Sequence, residues 1–278
     1  MRVIRKIAET KDFINKIKKT AKTIGFVPTM GYLHEGHLSL VRIARKKADF
    51  VVISIFVNPT QFAPNEDLKN YPRNIKRDKA LLEKENVDLI FYPSAIHIYP
   101  RDYKTYINVK DLSKIMCGNT RPRHFQGVTT IVLKLFNIIK PDIAVFGAKD
   151  YQQALIIRRM TKDLNLDVKI ITGKIIREKD GLAMSSRNKY LSPRQRKDAT
   201  VLYHALRKIK RDFSSGFSDP KRAKRIIRQL IEKKNGRVDY IAIANKNNLL
   251  PVKRIGKDTL VALAVFFGKT RLIDNIII

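Results

Sequence analysis

The sequence predicts an α/β fold, a doubly wound parallel sheet followed by a smaller C-terminal α+β domain. Two observations carry that expectation. Short unbroken apolar runs, rich in Ile, Val and Phe, alternate with longer segments of helical period through the first two-thirds of the chain. Near residue 175 the alternation stops, and the later part holds three strand-like runs in succession. An unbroken apolar run suits a strand covered on both faces, and strand alternating with helix gives parallel neighbours.

The elements follow in order. Ile24–Val27, Phe50–Val57, Leu89–Tyr92 and Ile143–Phe146 read as buried strands of a Rossmann-like sheet. Helical patterns lie near His37–Lys47, Ile75–Asn86, Val128–Ile139 and Gln152–Leu164. In such sheets ligands bind outside the carboxyl ends of the strands. Beyond the boundary, Ser192-Pro193-Arg194-Gln195 offers an N-cap, a proline at the first helical position and a capping-box Gln. Asp219-Pro220 repeats the device before the next helix. That helix carries Ala223, Ile226, Ile227, Leu230 and Ile231 on one face. Val238–Ala244, Leu260–Phe266 and Leu272–Ile278 then read as strands. The expected domains are 1–175, the Rossmann-like sheet, and 176–278, the smaller C-terminal α+β domain that carries the Met184-Ser185-Ser186-Arg187 motif.

Composition narrows the function. A hydrophobic fraction of 44% in 278 residues supports folded cores. The basic N-terminus lacks the apolar region of a secretory signal, and no apolar run reaches the roughly 18 residues of a membrane helix. The single Cys117 excludes an intrachain disulfide and a cysteine-rich metal site, which suits a reducing cytoplasm. The net charge is +32. It is spread evenly: residues 1–175 carry 32 Lys/Arg against 16 Asp/Glu, and residues 176–278 carry 25 against 9, so each part is +16. The densest basic stretch, 221–234, is the polar side of the amphipathic helix, so a solvated surface is read and no specific nucleic-acid partner.

Four motifs carry chemistry. Pro28-Thr29-Met30-Gly31-Tyr32-Leu33-His34-Glu35-Gly36-His37 runs from a strand into a helix. Its glycines allow close backbone approach, the helix start offers N–H groups to phosphate, and two imidazoles flank the turn. A zinc-protease site is excluded because its histidines stand four apart, whereas these stand three apart across Gly36. Met184-Ser185-Ser186-Arg187 presents two hydroxyls and a guanidinium suited to the outer phosphates of a triphosphate. Gly147-Ala148-Lys149-Asp150-Tyr151-Gln152-Gln153 places a lysine at a strand end, with Asp150 equally readable as a helix cap. Asn58-Pro59-Thr60-Gln61-Phe62 offers amides to a hydroxylated substrate, or is only an Asn-Pro turn.

The first two motifs together resemble the adenylyl-transfer superfamily that includes class I aminoacyl-tRNA synthetases. All four, in this order and spacing, resemble the pantothenate synthetase (pantoate–β-alanine ligase) family. So do Asp67-Leu68 with Tyr71-Pro72-Arg73, the stretch Arg121-Pro122-Arg123-His124-Phe125-Gln126-Gly127-Val128, and Asp180-Gly181-Leu182-Ala183 leading into Met184.

The resemblance implies a cytoplasmic, homodimeric enzyme with no membrane association. It would join pantoate to β-alanine through a pantoyl-adenylate, with ATP as substrate and Mg²⁺ on its phosphates. The Met30–His37 loop would hold ATP, with His34 and His37 at the phosphates and His37 as proton donor. Gly147, Ala148, Lys149 and Asp150 would hold the nucleotide, and Ile176 would make a backbone contact to adenine. Met184, Ser185, Ser186 and Arg187 would close over the triphosphate. Gln61, Gln153 and Asn58 would bind pantoate, with Gln61 also at β-alanine. Two positions depart from the family pattern: Ala148 stands where a Glu is usual, and Arg123 where a Gly is usual. A nucleotidyltransferase that leaves the nucleotide on its product is the alternative enzyme.

Overall fold

A computed structural model of the chain describes residues 1–64 and 66–278, which divide into two compact units. The first comprises residues 1–113, 121–148 and 153–174; the second comprises 114–120, 149–152 and 175–278.

The first unit is built on a six-stranded parallel sheet: β1 (Arg2–Ile4), β2 (Ile24–Thr29), β3 (Phe50–Ile55), β4 (Leu89–Phe91), β5 (Ile143–Gly147) and β6 (Lys169–Gly173). Their order across the sheet is β1-β4-β3-β2-β5-β6. The chain moves outward from β2 through β3 and β4, then returns past β2 to β5 and β6. That reversal leaves the carboxyl ends of β2 and β5 beside a switch point.

The helices between and around these strands are α1 (Ile7–Lys18), α2 (Glu35–Arg45), α3 (Ile75–Lys84) and the one-turn α4 (Ala95–Ile98). The one-turn α5 (Cys117–Thr120) belongs to the second unit, α6 (His124–Ile139) to the first, and α7 (Tyr151–Asp163) starts in the second and continues in the first. Alternation along each strand sorts its side chains between two cores. Phe50, Val52, Phe26, Phe91 and Phe146 pack with Ile14 of α1, Phe136 of α6 and Ile157 of α7. Val51, Ile53, Ile55, Val27 and Val145 pack on the other face with Val41 of α2 and Leu82 of α3. Helices thus cover both faces, the doubly wound arrangement that the alternating sequence predicts.

The second unit has its own core. Helices α8 (Pro193–Asp198), α9 (Val201–Ser214) and α10 (Pro220–Glu232) precede the antiparallel sheet of β7 (Gly236–Asn245), β8 (Thr259–Phe267) and β9 (Thr270–Ile277). Ser192 caps α8 in a reciprocal capping box with Gln195, and Asp219 Oδ1 accepts the Lys221 and Arg222 amides to cap α10. Leu206 and Ile209 of α9 and Ala223, Ile227 and Ile231 of α10 bury against Val261, Leu263 and Val265 of β8.

One close approach in the first unit sets the site. α6 packs against the 3-10 turn Pro59–Gln61, and a Cβ on Gly127 would overlap the Thr60 carbonyl. Backbone lies on both sides of that contact, so neither can yield cheaply. Gly127→Ala is expected to destabilise the chain by about 2 kcal/mol, read as a lowered thermal midpoint, with the larger Gly127→Val lower still.

Candidate active site

The site in the first unit begins at the end of β2. Gly31 and Tyr32 both take left-handed backbone angles, with φ of +83° and +51°. For Tyr32 that conformation costs about 1–2 kcal/mol, so something must hold it. The holder is Asp78, in the first turn of α3. Its Oδ2 accepts the Tyr32 amide at 2.7 Å and its Oδ1 the Leu33 amide at 2.8 Å. Arg77 donates to the Leu33 carbonyl at 2.8 Å and lies over the Tyr32 ring. Burial pushes the Asp78 carboxyl above the usual carboxylate range, opposed by the two amides and by Arg77.

The loop then delivers two histidines. His34 is the N-cap of α2, and its Nδ1 accepts the Gly36 amide at 3.2 Å. The His37 Nδ1 in turn accepts the His34 amide at 3.3 Å, and the two rings lie 4.1 Å apart. This is a capping box made of imidazoles. An Nδ1 that accepts an N–H carries no proton itself, so the geometry puts each ring proton on Nε2. Both rings are half-buried, and Glu35 of the same loop is held by Arg42. The loop's other expected members differ in exposure: Met30 is half-buried, whereas Leu33 is buried.

At the end of β3, Asn58 is buried and its amide is fully engaged. Nδ2 donates to Gln61 Oε1 at 3.1 Å and to the Gly127 carbonyl at 3.0 Å. Oδ1 accepts Thr60 Oγ1 at 3.0 Å and the Tyr99 hydroxyl at 2.9 Å. Burial pushes the Tyr99 phenol up to about 12, which keeps it protonated as a donor. Asn58 therefore holds Gln61, whose Nε2 reaches Met30 Sδ at 3.1 Å. The Gln61 carbonyl meets His124 Nδ1 at 2.8 Å and accepts from Arg121 at 3.2 Å; Arg121 also pairs with Glu66. Gln153, half-buried on α7, has no side-chain hydrogen bond among the described residues. Gly147 ends β5 and Ala148 opens the following 3-10 turn.

The second unit carries the other expected residues. Ile176 and Met184 face each other across a short hairpin, with the Met184 amide on the Ile176 carbonyl at 3.0 Å. Lys149 Nζ donates to the Met184 carbonyl at 3.1 Å, and the Lys149 carbonyl accepts Asn275 Nδ2 at 2.9 Å. Burial pushes the Lys149 ammonium below the usual lysine range, opposed by Asp150 and Asp274 and reinforced by Arg187. Asp150 itself is exposed. Ser185 Oγ accepts the Arg187 amide at 3.2 Å and caps the 3-10 turn Ser186–Tyr190, while Ser186 is buried.

The hairpin rests on buried charge. Asp274 of β9 takes a two-point contact from Arg177 at 2.6 and 2.9 Å, and Arg177 also reaches the Gly181 carbonyl and stacks on Tyr203. Burial raises the Asp274 carboxyl while Arg177 opposes the rise. Arg196 bridges Glu178 and Asp180, which holds the Asp180 carboxyl below its usual range.

The chain as a whole has counterparts among known proteins. The family model for pantoate-beta-alanine ligase matches residues 2–277. The chain belongs to the pantoate–β-alanine ligase family. It is 55% identical to the pantothenate synthetase of Caldicellulosiruptor bescii, over 100% of this chain and 99% of that one. It is 53% identical to that of Thermotoga neapolitana, over the full length of both. Among solved structures, pantothenate synthetase from Thermus thermophilus superposes with a TM-score of 0.94 at 44% identity, covering 99% of each chain. A Francisella tularensis pantoate-beta-alanine ligase, solved in complex with beta-gamma ATP and beta-alanine, gives 0.85 at 36% identity and covers 100% of this chain and 97% of that one.

Within this ligase family the Arg123 departure becomes intelligible. Arg123 has φ +70° and immediately precedes α6, a conformation that glycine adopts without strain. The arginine keeps the turn, at a cost of about 1–2 kcal/mol, and His124 still meets the Gln61 carbonyl. Nothing in the structure explains the Ala148 departure.

The sequence reading missed Asp78, Tyr99, Arg177 and Asp274. Asp78 alone left a local signal, because it sits with Ile75 and Leu82 on the apolar stripe of α3, where a carboxylate needs a buried partner. Tyr99 is the easiest of these to test. Tyr99→Phe strips one donor from the buried Asn58 oxygen and is expected to cost about 1–2 kcal/mol, measured by thermal or denaturant unfolding.

Proposed function

We propose that this ligase condenses (R)-pantoate with β-alanine in two steps through a pantoyl-adenylate. A pantoate carboxylate oxygen attacks the α-phosphorus of ATP, and the bond to the β-phosphate breaks, releasing pyrophosphate. The β-alanine nitrogen then attacks the acyl carbon, the bond to the phosphate oxygen breaks, AMP leaves and the amine gives up a proton. No protein nucleophile is required; positioning and charge neutralisation do the work.

The observation that carries this reading is the imidazole capping box. It fixes two rings side by side at the carboxyl end of β2 with Nε2 as the proton-bearing nitrogen. His34 and His37 then donate to phosphate oxygens as charge builds on departing pyrophosphate, His37 as the catalytic donor. Lys149, Ser185, Ser186 and Arg187 serve the triphosphate. Burial lowers the Lys149 ammonium below the usual lysine range, and a phosphate beside it would oppose that shift by favouring the charged form.

Gly147, Ala148, Asp150 and the Ile176 backbone hold the rest of the nucleotide. Gln61 and Gln153 bind pantoate, Gln61 also meets β-alanine, and Asn58 acts through Gln61. Among the described residues no group of three or more His, Cys, Asp or Glu could hold a metal. Mg²⁺ arriving with ATP would take oxygens from the triphosphate and water and would supply neutralisation of phosphate charge. The working form in this reading is a cytoplasmic homodimer, as the family resemblance implies. No described helix is long and apolar enough to cross a membrane.

The deciding experiment supplies ATP, Mg²⁺ and pantoate with and without β-alanine and identifies products by mass spectrometry. Pantothenate and AMP are expected only with β-alanine, and pantoyl-adenylate without it. A stable nucleotidylated end product would instead make the chain a nucleotidyltransferase. His37→Ala is expected to lower pyrophosphate release at least 100-fold (about 3 kcal/mol) with the melting transition retained. Sedimentation across a dilution series is expected to show a dimer, and a monomer at every concentration would refute that part.

A further inference from the structure

A turn that directs successive backbone N–H groups at one point makes an anion-binding concavity, the usual device for seating phosphate. The Gly31–Leu33 turn has this form, with two left-handed residues and the Tyr32 and Leu33 amides converging. Its anion, however, is internal. The Asp78 carboxylate spends one oxygen on each amide and is itself wholly buried. A Cβ on Gly31 would come within 3.1 Å of the same carboxylate and 2.9 Å of Ile55, so nothing larger than glycine lets the turn sit on it. Arg77, the neighbouring residue of α3, pulls on the Leu33 carbonyl, so both polar edges of the turn are gripped by one helix end. Asn74 fixes that helix end by accepting the Arg77 amide at 3.0 Å.

We propose that Asp78 is a positioning residue for adenylate formation: it occupies the turn's anion site, locks the backbone that enters His34, and leaves phosphate to the two imidazoles. This rests on the adenylate reading above. The chain of causes is short. Asp78 sets the direction of the Leu33–His34 peptide; the His34 amide is the donor that orients the His37 ring; the His34 ring caps α2. A triphosphate brought against the same amides would meet a buried carboxylate, so the turn positions the histidines and does not bind phosphate through its own N–H groups.

Asp78→Asn keeps the shape but sets an amide N–H against one of the two donors; Asp78→Ala removes both acceptors. In the full-length chain, pantoate-dependent pyrophosphate release is expected to fall at least tenfold in Asp78→Asn. AMP release from supplied pantoyl-adenylate and β-alanine, which does not need the histidines at the outer phosphates, is expected to change less than threefold. A merely structural role would lower both half-reactions together, or move the melting temperature alone; either result overturns the proposal, as does unchanged turnover. In the unsubstituted protein without ATP, the Tyr32 and Leu33 amides are expected to be protected from hydrogen exchange, and rapid exchange there overturns it independently of any variant. The unsubstituted enzyme, run alongside, separates the two readings: if it makes no pantoyl-adenylate, the adenylate reading fails first.

Discussion

A carboxylate without water around it must find donors inside the protein, and Asp78 finds two backbone amides of a loop that precedes it by about 45 residues. Most of the first unit's site hangs on that pairing. The amides are available only because Gly31 and Tyr32 turn left-handed, and the turn is tolerable only because the carboxylate rewards it. From there the His34 backbone enters α2 in an extended conformation, its ring caps the helix, and the His37 ring closes the box. An interaction worth little between exposed groups is decisive here because either partner, left alone, would be a buried unsatisfied group.

The second unit solves a similar problem with a full ion pair. Asp274 sits on β9 at 2% exposure, and the Arg177 guanidinium matches it with two parallel hydrogen bonds while covering the Tyr203 ring. A further donor of the same guanidinium reaches the Gly181 carbonyl at the hairpin turn. Next to Asp274, Asn275 anchors the Lys149 backbone. Two adjacent residues of one strand thus hold both a hairpin and a lysine. Rigid sheet positions, more than the loops themselves, fix these side chains.

Much of this was legible in the sequence. The four buried strands announced themselves because sheets covered on both faces tolerate few polar residues in their centres, and the capped helices because Ser192 and Asp219 carry their partners within three residues. β1 and β6 escaped notice. The first has three residues, two of them exposed, and the second lies at a sheet edge with Lys169 exposed, so neither offers an apolar run. α1 and α9 also went unread, both helices with many charges among their apolar positions. Strand order was out of reach because it depends on pairings between distant segments. For the site, the motifs named the residues but not who holds them. The Asn58 amide read as a substrate contact and is engaged on Gln61, Gly127, Thr60 and Tyr99. Such partnerships join distant residues, 69 positions apart for Asn58 and Gly127 and 126 for Lys149 and Asn275, and leave no local spacing to recognise.

The self-filled turn also bears on inhibitor chemistry. A compound that imitates a phosphate by offering an acidic group to the Tyr32 and Leu33 amides would have to evict a carboxylate tethered to the protein, whose effective concentration no free ligand can match. On the proposed reading, compounds competing at this loop would instead present acceptors to two neighbouring imidazoles whose ring centres lie 4.1 Å apart.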